Sequence, residues 1–109
     1  MKDLKPVIAK LGGNEKFKRI LAGAPDTAGI KSGYVVLQPG ESVGEHETRG
    51  REEAIIILDG CAQVYCAGEL LFCAQPDSLV YIPPQTRHDI KNTADKPLRY
   101  VYVVSPVKE

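Results

Sequence analysis

The segment that decides the fold is Gly40–Gly60, which reads GESVGEHETRGREEAIIILDG. Successive side chains of an extended strand point to opposite faces of a sheet, so His46 and Thr48 are predicted to share one face. The stretch Arg49–Arg51, with its central glycine, predicts a hairpin turn after them. A regular turn would bring Glu53, on the returning strand, to the same face as His46.

Strand register decides which of two adjacent glutamates turns inward. A regular hairpin places Glu53 on the side of Ile55 and Ile57, whereas a bulge of one residue would put Glu52 there instead. The isoleucines indicate that this face is the interior of the protein. A histidine and a carboxylate in an apolar interior are costly unless they pair or bind something. This face therefore carries the candidate site.

Length and charge limit the functions to consider. With 109 residues, the chain suits one domain with a single core. Its 14 basic and 14 acidic residues cancel, so no long-range field favours nucleic acid or an anionic bilayer. The N-terminal segment lacks the apolar run of a signal peptide, and the longest apolar block, Ala54–Leu58, is too short to span a membrane. We expect a soluble, cytoplasmic protein that binds neither nucleic acid nor membrane.

Cysteine usage agrees with this expectation. Cys61, Cys66 and Cys73 are odd in number, form no C-x-x-C pair and lie in apolar segments, where a free cysteine behaves as a small hydrophobe. We expect buried, reduced thiols. The alternative is a redox or nucleophilic role.

Short extended segments follow one another closely and are separated by glycine, proline, asparagine or aspartate. No long window shows a helical stripe beyond a weak turn around Lys10–Phe17, which disfavours a parallel β-α-β layout. The pattern predicts an all-β antiparallel sandwich or barrel. The predicted strands are Lys16–Leu21, Ser32–Leu37, Glu53–Leu58, Cys61–Cys66, Leu70–Ala74, Leu79–Ile82 and Leu98–Val104.

The first segment resembles a signature motif of the cupin superfamily. That motif runs glycine, five residues, His-x-His, three or four residues, glutamate, six residues and glycine. Four residues of this chain match it in register: Gly40, His46, Glu53 and Gly60. Thr48 stands where the motif has its second histidine.

A later segment, Pro76–Asn92, reads PDSLVYIPPQTRHDIKN and resembles the second cupin motif. Three residues match the motif's proline, histidine and asparagine: Pro83, His88 and Asn92. Pro76 and Gln85 replace its two glycines. The whole resemblance covers residues 30–104.

The resemblance implies a small single-domain protein of the cupin 2 conserved-barrel type. Its fold would be an antiparallel double-stranded β-helix, the jelly-roll barrel. One domain is expected over residues 1–109, with motif one at 40–60, motif two at 76–92 and N-terminal strands or an arm at 1–29. Single-domain cupins commonly form homodimers, and the segment up to Leu21 is expected to contribute.

In metal-binding cupins, the motif histidines and the glutamate hold one divalent ion. Transferred to this sequence, the ligands are His46, Glu53 and His88, a set that suits Fe, Mn, Ni, Co or Zn and leaves positions for water and substrate. Thr48 is a poor ligand because its hydroxyl stays protonated, but it could bind a metal-bound water or a substrate oxygen.

Two readings of the site stay open on sequence alone. Without metal, Glu53 could accept hydrogen bonds from His46 and His88 in a buried polar cluster. The protein is accordingly either a metal-dependent enzyme acting on a small polar or anionic metabolite, or a non-catalytic module, such as a sensor, that binds a small molecule without turnover. The sequence does not decide whether it is an enzyme.

Further residues are expected around the pocket. Arg49, Arg51 and Arg87 could hold a carboxylate or a phosphate, although solvated loop arginines are the simpler interpretation. Thr48 and Asn92 complete the predicted pocket set.

Overall fold

The computed structural model describes residues 3–108, which contain nine β-strands and no helix. The all-β prediction is confirmed. In chain order the strands are β1 (Phe17–Ala22), β2 (Lys31–Leu37), β3 (His46–Glu47), β4 (Arg51–Asp59), β5 (Ala62–Cys66), β6 (Glu69–Ala74), β7 (Leu79–Ile82), β8 (Arg87–Lys91) and β9 (Leu98–Pro106). No helix long and apolar enough to cross a membrane is found in this part of the chain. The predicted domain also includes residues 1, 2 and 109, which lie outside the described residues.

Two antiparallel sheets form the barrel. One sheet has five strands in the order β1-β2-β9-β4-β7, and the other has four in the order β3-β8-β5-β6. Several neighbours are distant in sequence, such as β2 with β9 and β3 with β8, because the chain passes repeatedly from one sheet to the other. This is the predicted antiparallel double-stranded β-helix.

Alternating burial along the strands closes the barrel on an apolar core. In β4, Glu53, Ile55 and Ile57 are buried while the residues between them are partly exposed, as a side-chain period of two requires. The opposing sheet contributes Val64 and Ile90, which are almost completely buried. Packing of the core determines which alternate side chains of each strand point inward. It therefore also determines the face on which the polar residues of the site lie.

The seven predicted strands are observed with ends that differ by at most two residues, and two short strands, β3 and β8, are added. The weak turn expected around Lys10–Phe17 is not helical, since residues 3–16 form neither helix nor strand. The N-terminal arm expected over residues 1–29 thus has one strand, β1, preceded by irregular chain.

The expectation of buried, reduced thiols is wrong, because two of the three cysteines are bonded to each other and none of the three is buried. Cys61 and Cys73 form a disulfide with their Cα atoms 6.3 Å apart, and Cys66 is free. The hairpin between β5 and β6 turns at Ala67 and Gly68, whose φ angles are 51° and 84°. Cys61 immediately precedes β5, and Cys73 lies in β6 opposite Gln63. The disulfide therefore joins diagonal neighbours across this hairpin. The disulfide removes cysteine usage as support for the cytoplasmic prediction.

Candidate metal centre

Three side chains that could bind a metal converge between the two sheets. His46 of β3 and His88 of β8 are cross-strand partners, so their side chains lie on the same face. Their ring centroids are 4.2 Å apart. Glu53 approaches from β4 in the opposing sheet. The candidate centre is thus assembled by both sheets of the barrel.

Distances among the three ligand atoms suit a single ion. One atom from each of His46, Glu53 and His88 lies within 4.8 Å of the other two, and His88 Nε2 is 3.0 Å from Glu53 Oε1. Two ligands bound at right angles with bonds of about 2.1 Å would stand about 3.0 Å apart. His88 and Glu53 are buried, with exposures of 1% and 7%, whereas His46 is open to solvent.

Backbone carbonyl groups fix the orientation of both imidazoles. His46 Nδ1 lies 3.0 Å from the carbonyl oxygen of Gly44, and His88 Nδ1 lies 3.0 Å from that of Thr86. Because a carbonyl oxygen can only accept, each Nδ1 carries a proton and donates. Each Nε2 is then the nitrogen available to a metal, an arrangement typical of metal-binding histidines.

In the metal-free protein, a hydrogen bond joins His88 to Glu53. Burial alone would lower the pKa of His88, but its hydrogen bonds with Glu53 and with the Thr86 carbonyl outweigh burial and raise that pKa above the ordinary value of 6.5. His88 Nε2 therefore donates to the Glu53 carboxylate. A metal cation held by His88 and Glu53 would take the place of this proton, because the same two atoms would be its ligands.

The residues present fit a divalent metal ion. Two imidazoles with Nε2 presented and one carboxylate form a donor set suited to Fe, Mn, Ni, Co or Zn. The set provides three protein ligands, so coordination positions would remain for water or an organic ligand.

We call His46, Glu53 and His88 the triad. A cavity of about 360 Å³ opens beside it, and this volume is near the lower end of the range for small-molecule sites. Phe17, Tyr100 and Tyr102 line part of its wall. Burial, followed by the negative charge of Glu53, raises the pKa of Tyr100. The Tyr100 hydroxyl therefore stays protonated and can donate a hydrogen bond.

Thr48 borders the cavity, but its hydroxyl is engaged with the backbone. It donates to the carbonyl oxygen of Pro83 at 2.7 Å and accepts from the amide of Thr86 at 3.0 Å. Thr48 therefore joins the end of β3 to the loop before β8, which helps to hold His46 beside His88.

Of the two adjacent glutamates, Glu53 is the one that faces the cavity. Glu52 lies on the other side of β4, where it accepts a hydrogen bond of 2.7 Å from the hydroxyl of Tyr81. The irregularity in the pairing of β4 with β9 lies between Ile57 and Asp59. The strand is therefore regular at the glutamates, and alternation sends Glu53 inward.

The other predicted pocket residues occupy different places. Arg51 borders the cavity, whereas Arg49 is exposed in the turn before β4. Arg87 is paired with Glu45 at 2.7 Å and is not part of the cavity wall. Asn92 is almost completely buried, and its side-chain amide donates to two backbone carbonyl oxygens. Of these four residues, Arg51 alone lines the cavity.

Sequence reasoning missed two cations of the cavity wall, Arg19 of β1 and Lys31 of β2. β1 pairs with β2, and β2 pairs with β9, which pairs in turn with β4. The inner face of the sheet therefore runs from Glu53 on β4 across β9 to Lys31 on β2 and Arg19 on β1. Alternation within a strand is readable from sequence, but the order of strands in the sheet is not.

Comparison with known proteins identifies a family that covers most of the chain. Residues 33–104 match the family model described as Cupin domain. Polyketide synthase CurC of Streptomyces cyaneus is 33% identical over 86 residues, which cover 76% of this chain and 55% of that protein. Tetracenomycin polyketide synthase protein TcmJ of Streptomyces glaucescens is 30% identical over 86 residues, which cover 76% of this chain and 57% of that protein. The chain thus spans little more than half the length of these relatives.

Solved structures share the fold. A Cupin 2 conserved barrel domain protein from Salinispora arenicola matches with a TM-score of 0.76 at 23% identity, covering 94% of this chain and 91% of that one. An RmlC-like cupin family protein with a double-stranded β-helix fold from Methanocaldococcus jannaschii gives a TM-score of 0.73 at 18% identity, with coverage of 93% and 91%. At these identities, the likeness establishes the fold alone.

Proposed function

The chain belongs to the cupin family, and from this premise we propose that it binds one divalent metal ion through His46, Glu53 and His88 and holds a small polar or anionic metabolite in the adjoining cavity. One observation carries the proposal: the three ligand atoms lie within 4.8 Å of one another, and two of the three residues, His46 and Glu53, line a cavity of about 360 Å³. A donor set that opens on a cavity can serve both an ion and an organic ligand.

Each residue of the triad has a defined part. The carbonyl groups that hold Nδ1 of His46 and His88 orient Nε2 for metal binding, and Glu53 supplies negative charge that partly offsets a dication. A bound divalent ion supplies a Lewis acid that polarises an oxygen of the ligand. Tyr100, kept protonated by burial, can donate a hydrogen bond within the same cavity.

The names of two relatives support an organic ligand. Both are named as polyketide synthase proteins, and polyketides are organic molecules rich in oxygen. We infer from them only the class of ligand, a small polar metabolite, because this chain spans little more than half of each relative.

A specific contact favours a second candidate, a metal-free module that binds a small molecule without turnover. The hydrogen bond of 3.0 Å between His88 Nε2 and Glu53 satisfies both buried groups within the protein. Thr48, in place of the second motif histidine, adds no strong ligand. The two candidates differ in one measurable property, since only the first binds metal at the triad.

Metal analysis of protein purified without a histidine tag separates the two candidates. After dialysis against Fe, Mn, Ni, Co or Zn, we expect about one ion per wild-type chain and less than about a tenth of that in His88→Ala. Arg87→Gln changes the neighbouring residue, which lies outside the cavity wall, and should retain the ion. Equal metal content in the wild-type protein and His88→Ala would contradict metal binding at the triad.

We further propose that the protein forms a homodimer. The irregular N-terminal segment exposes Val7 and Ile8, and the edge strand β6 exposes Leu71 and Phe72. Clusters of exposed apolar side chains mark interaction surfaces, and an unpaired strand edge favours association with another chain. A second copy of the chain could cover both features.

A further inference from the structure

Three cationic side chains line the cavity wall: Arg19 from β1, Lys31 from β2 and Arg51 from β4. We call them the basic rim. Strand register places them on the face that carries the metal ligand, because Lys31 pairs with Val104 and Val104 pairs with Glu53. Lys31, Val104 and Glu53 therefore lie side by side on three neighbouring strands. The backbones of Lys31 and Glu53 are separated by two strand spacings, about 10 Å.

The basic rim has no carboxylate partner among residues 3–108. Arg19 lies over the ring of Phe17, with its guanidinium carbon 5.8 Å from the ring centroid. Two arginines outside the cavity wall have protein partners: Arg87 is paired with Glu45, and Arg99 donates hydrogen bonds to the irregular N-terminal segment and to a tyrosine hydroxyl. Cations that line a cavity without a protein partner are available to an external anion.

The cavity wall carries an excess of positive charge. The three cations of the basic rim are accompanied by two carboxylates, Glu47 and Glu53, which leaves one formal positive charge when the histidines are neutral. A divalent ion at the triad would add two more. The whole chain has a formal net charge of zero, so the excess is local to the cavity, where it favours an anion.

An aromatic surface adjoins the basic rim. The rings of Phe17 and Tyr102 stack, with centroids 6.1 Å apart and planes inclined by 20°. They lie over Gly33, where an added Cβ atom would stand 2.6 Å from Tyr102 and 2.7 Å from Phe17. The glycine thus makes room for both rings. Tyr100 is 3% exposed, lines the same cavity, and its hydroxyl has no hydrogen-bond partner in the part of the chain that the structure describes.

We infer that the cavity takes a planar, aromatic organic anion. Its carboxylate or phosphate binds the basic rim, its ring packs against Phe17 and Tyr102, and Tyr100 donates a hydrogen bond to one of its oxygens. This ligand class rests on the proposed function in one respect, that the cavity is a ligand site, and it does not require the metal. A neutral aromatic molecule would leave the basic rim unpaired, and a small aliphatic anion would leave the aromatic surface uncovered.

Three naphthalene derivatives test this ligand class: 2-naphthoate, 2-naphthyl phosphate and the neutral 2-naphthamide. Isothermal titration calorimetry on the full chain, first stripped of metal and then supplied with Zn²⁺, gives the affinities. We expect at least one of the two anions to bind about tenfold more tightly than the amide.

Variants of the basic rim locate the anion. The preference for the anion should fall by about threefold or more in each of Arg19→Gln, Lys31→Gln and Arg51→Gln. It should stay unchanged in Arg87→Gln, which removes a cation outside the cavity wall. Far-UV circular dichroism of each variant checks that the fold is retained.

The outcomes distinguish anion binding from metal binding. An anion preference in the metal-stripped protein supports the basic rim even when Zn²⁺ does not bind. Zn²⁺ binding without an anion preference supports the triad and overturns the ligand class. Three other results would also overturn the ligand class. They are equal affinities for the anions and the amide, no saturable binding of any probe up to about 5 mM, and an anion preference that is retained in all three variants of the basic rim.

Discussion

His46 and His88 owe their orientation to backbone carbonyl groups that lie two residues before each of them. The two contacts are local and alike, and each has a distance of 3.0 Å. Both rings therefore present Nε2, so the candidate centre is organised before any ion arrives. Such preorganisation lowers the cost of binding, because the ligands need not be ordered at that moment.

Strand alternation is enough to predict that Glu53 points to the interior with Ile55 and Ile57, because the side-chain period of a strand is two. The predicted hairpin that brings His46 and Glu53 to one face is wrong: β3 and β4 lie in different sheets, and the two side chains approach each other across the barrel interior. The role of Thr48 cannot be predicted in this way. Its hydroxyl bonds the backbone of Pro83 and Thr86, which lie 35 and 38 positions along the chain. That contact exists only once β3 and β8 are paired, and sequence does not reveal the pairing.

Metal affinity should depend on pH through His88. Its pKa is raised, so Nε2 keeps its proton to a higher pH than an ordinary imidazole, and a metal must displace that proton. Affinity for Zn²⁺ should therefore increase by up to about tenfold per pH unit below this pKa and level off above it. Competition with a chromophoric chelator between about pH 5.5 and 8 measures the effect. A flat affinity over this range would contradict the proton assigned to Nε2.

The loops between strands are the elements that bring the site residues together. The loop from β7 to β8 contains Gln85, whose φ of 54° lies in the left-handed region. The cupin motif has a glycine at this position, and the sequence comparison shows only that Gln85 replaces it. The sequence alone could not predict that Gln85 adopts the left-handed conformation of glycine, because the surrounding strands impose that conformation at a cost of about 1 kcal/mol.

Gln85→Gly should increase the free energy of unfolding by up to about 1 kcal/mol, since glycine adopts a left-handed φ without the Cβ penalty. Thr93→Gly is the matched control, because Thr93 is exposed in a loop and has no left-handed φ. It should lower the free energy of unfolding by about 0.5 kcal/mol or more. Urea denaturation of the metal-stripped proteins measures both changes. Equal destabilisation by the two substitutions would show that Gln85 carries no strain.

Some strands are easier to predict from the sequence than others. β4 and β9 are long, and apolar residues recur along them with the spacing of a half-buried strand. β8 has the sequence RHDIK, in which a single residue is apolar. Its extended form follows from pairing with β3 on one side and β5 on the other, so it was not predicted.

At the scale of the whole molecule, the two sheets combine residues that no single segment contains. The triad needs β3, β4 and β8, and the basic rim needs β1, β2 and β4. The family motifs, at residues 40–60 and 76–92, cover the triad but neither β1 nor β2. Arg19 and Lys31 were therefore absent from the predicted pocket, although the fold class itself was predicted correctly.

Sedimentation velocity at about 10 µM chain should show a homodimer, because a dimer with a dissociation constant below this concentration is the main species. Leu71→Asp on β6 should weaken it by about tenfold or more, because a charge would be buried in an apolar interface. Leu79→Asp on β7 of the other sheet is the control for a general effect of surface charge. A monomeric wild-type protein at this concentration would contradict the dimer.

A single metal ion bound by His46, Glu53 and His88 is the feature on which the proposed function depends. Titration of the metal-stripped protein with Co²⁺, followed by visible absorption, tests it most directly, because the absorption reports the ligands around the ion. We predict saturation at about one ion per chain, loss of the band in Glu53→Gln and its retention in Glu52→Gln. An identical titration of the two variants, or no band in the wild-type protein, would contradict the proposed centre.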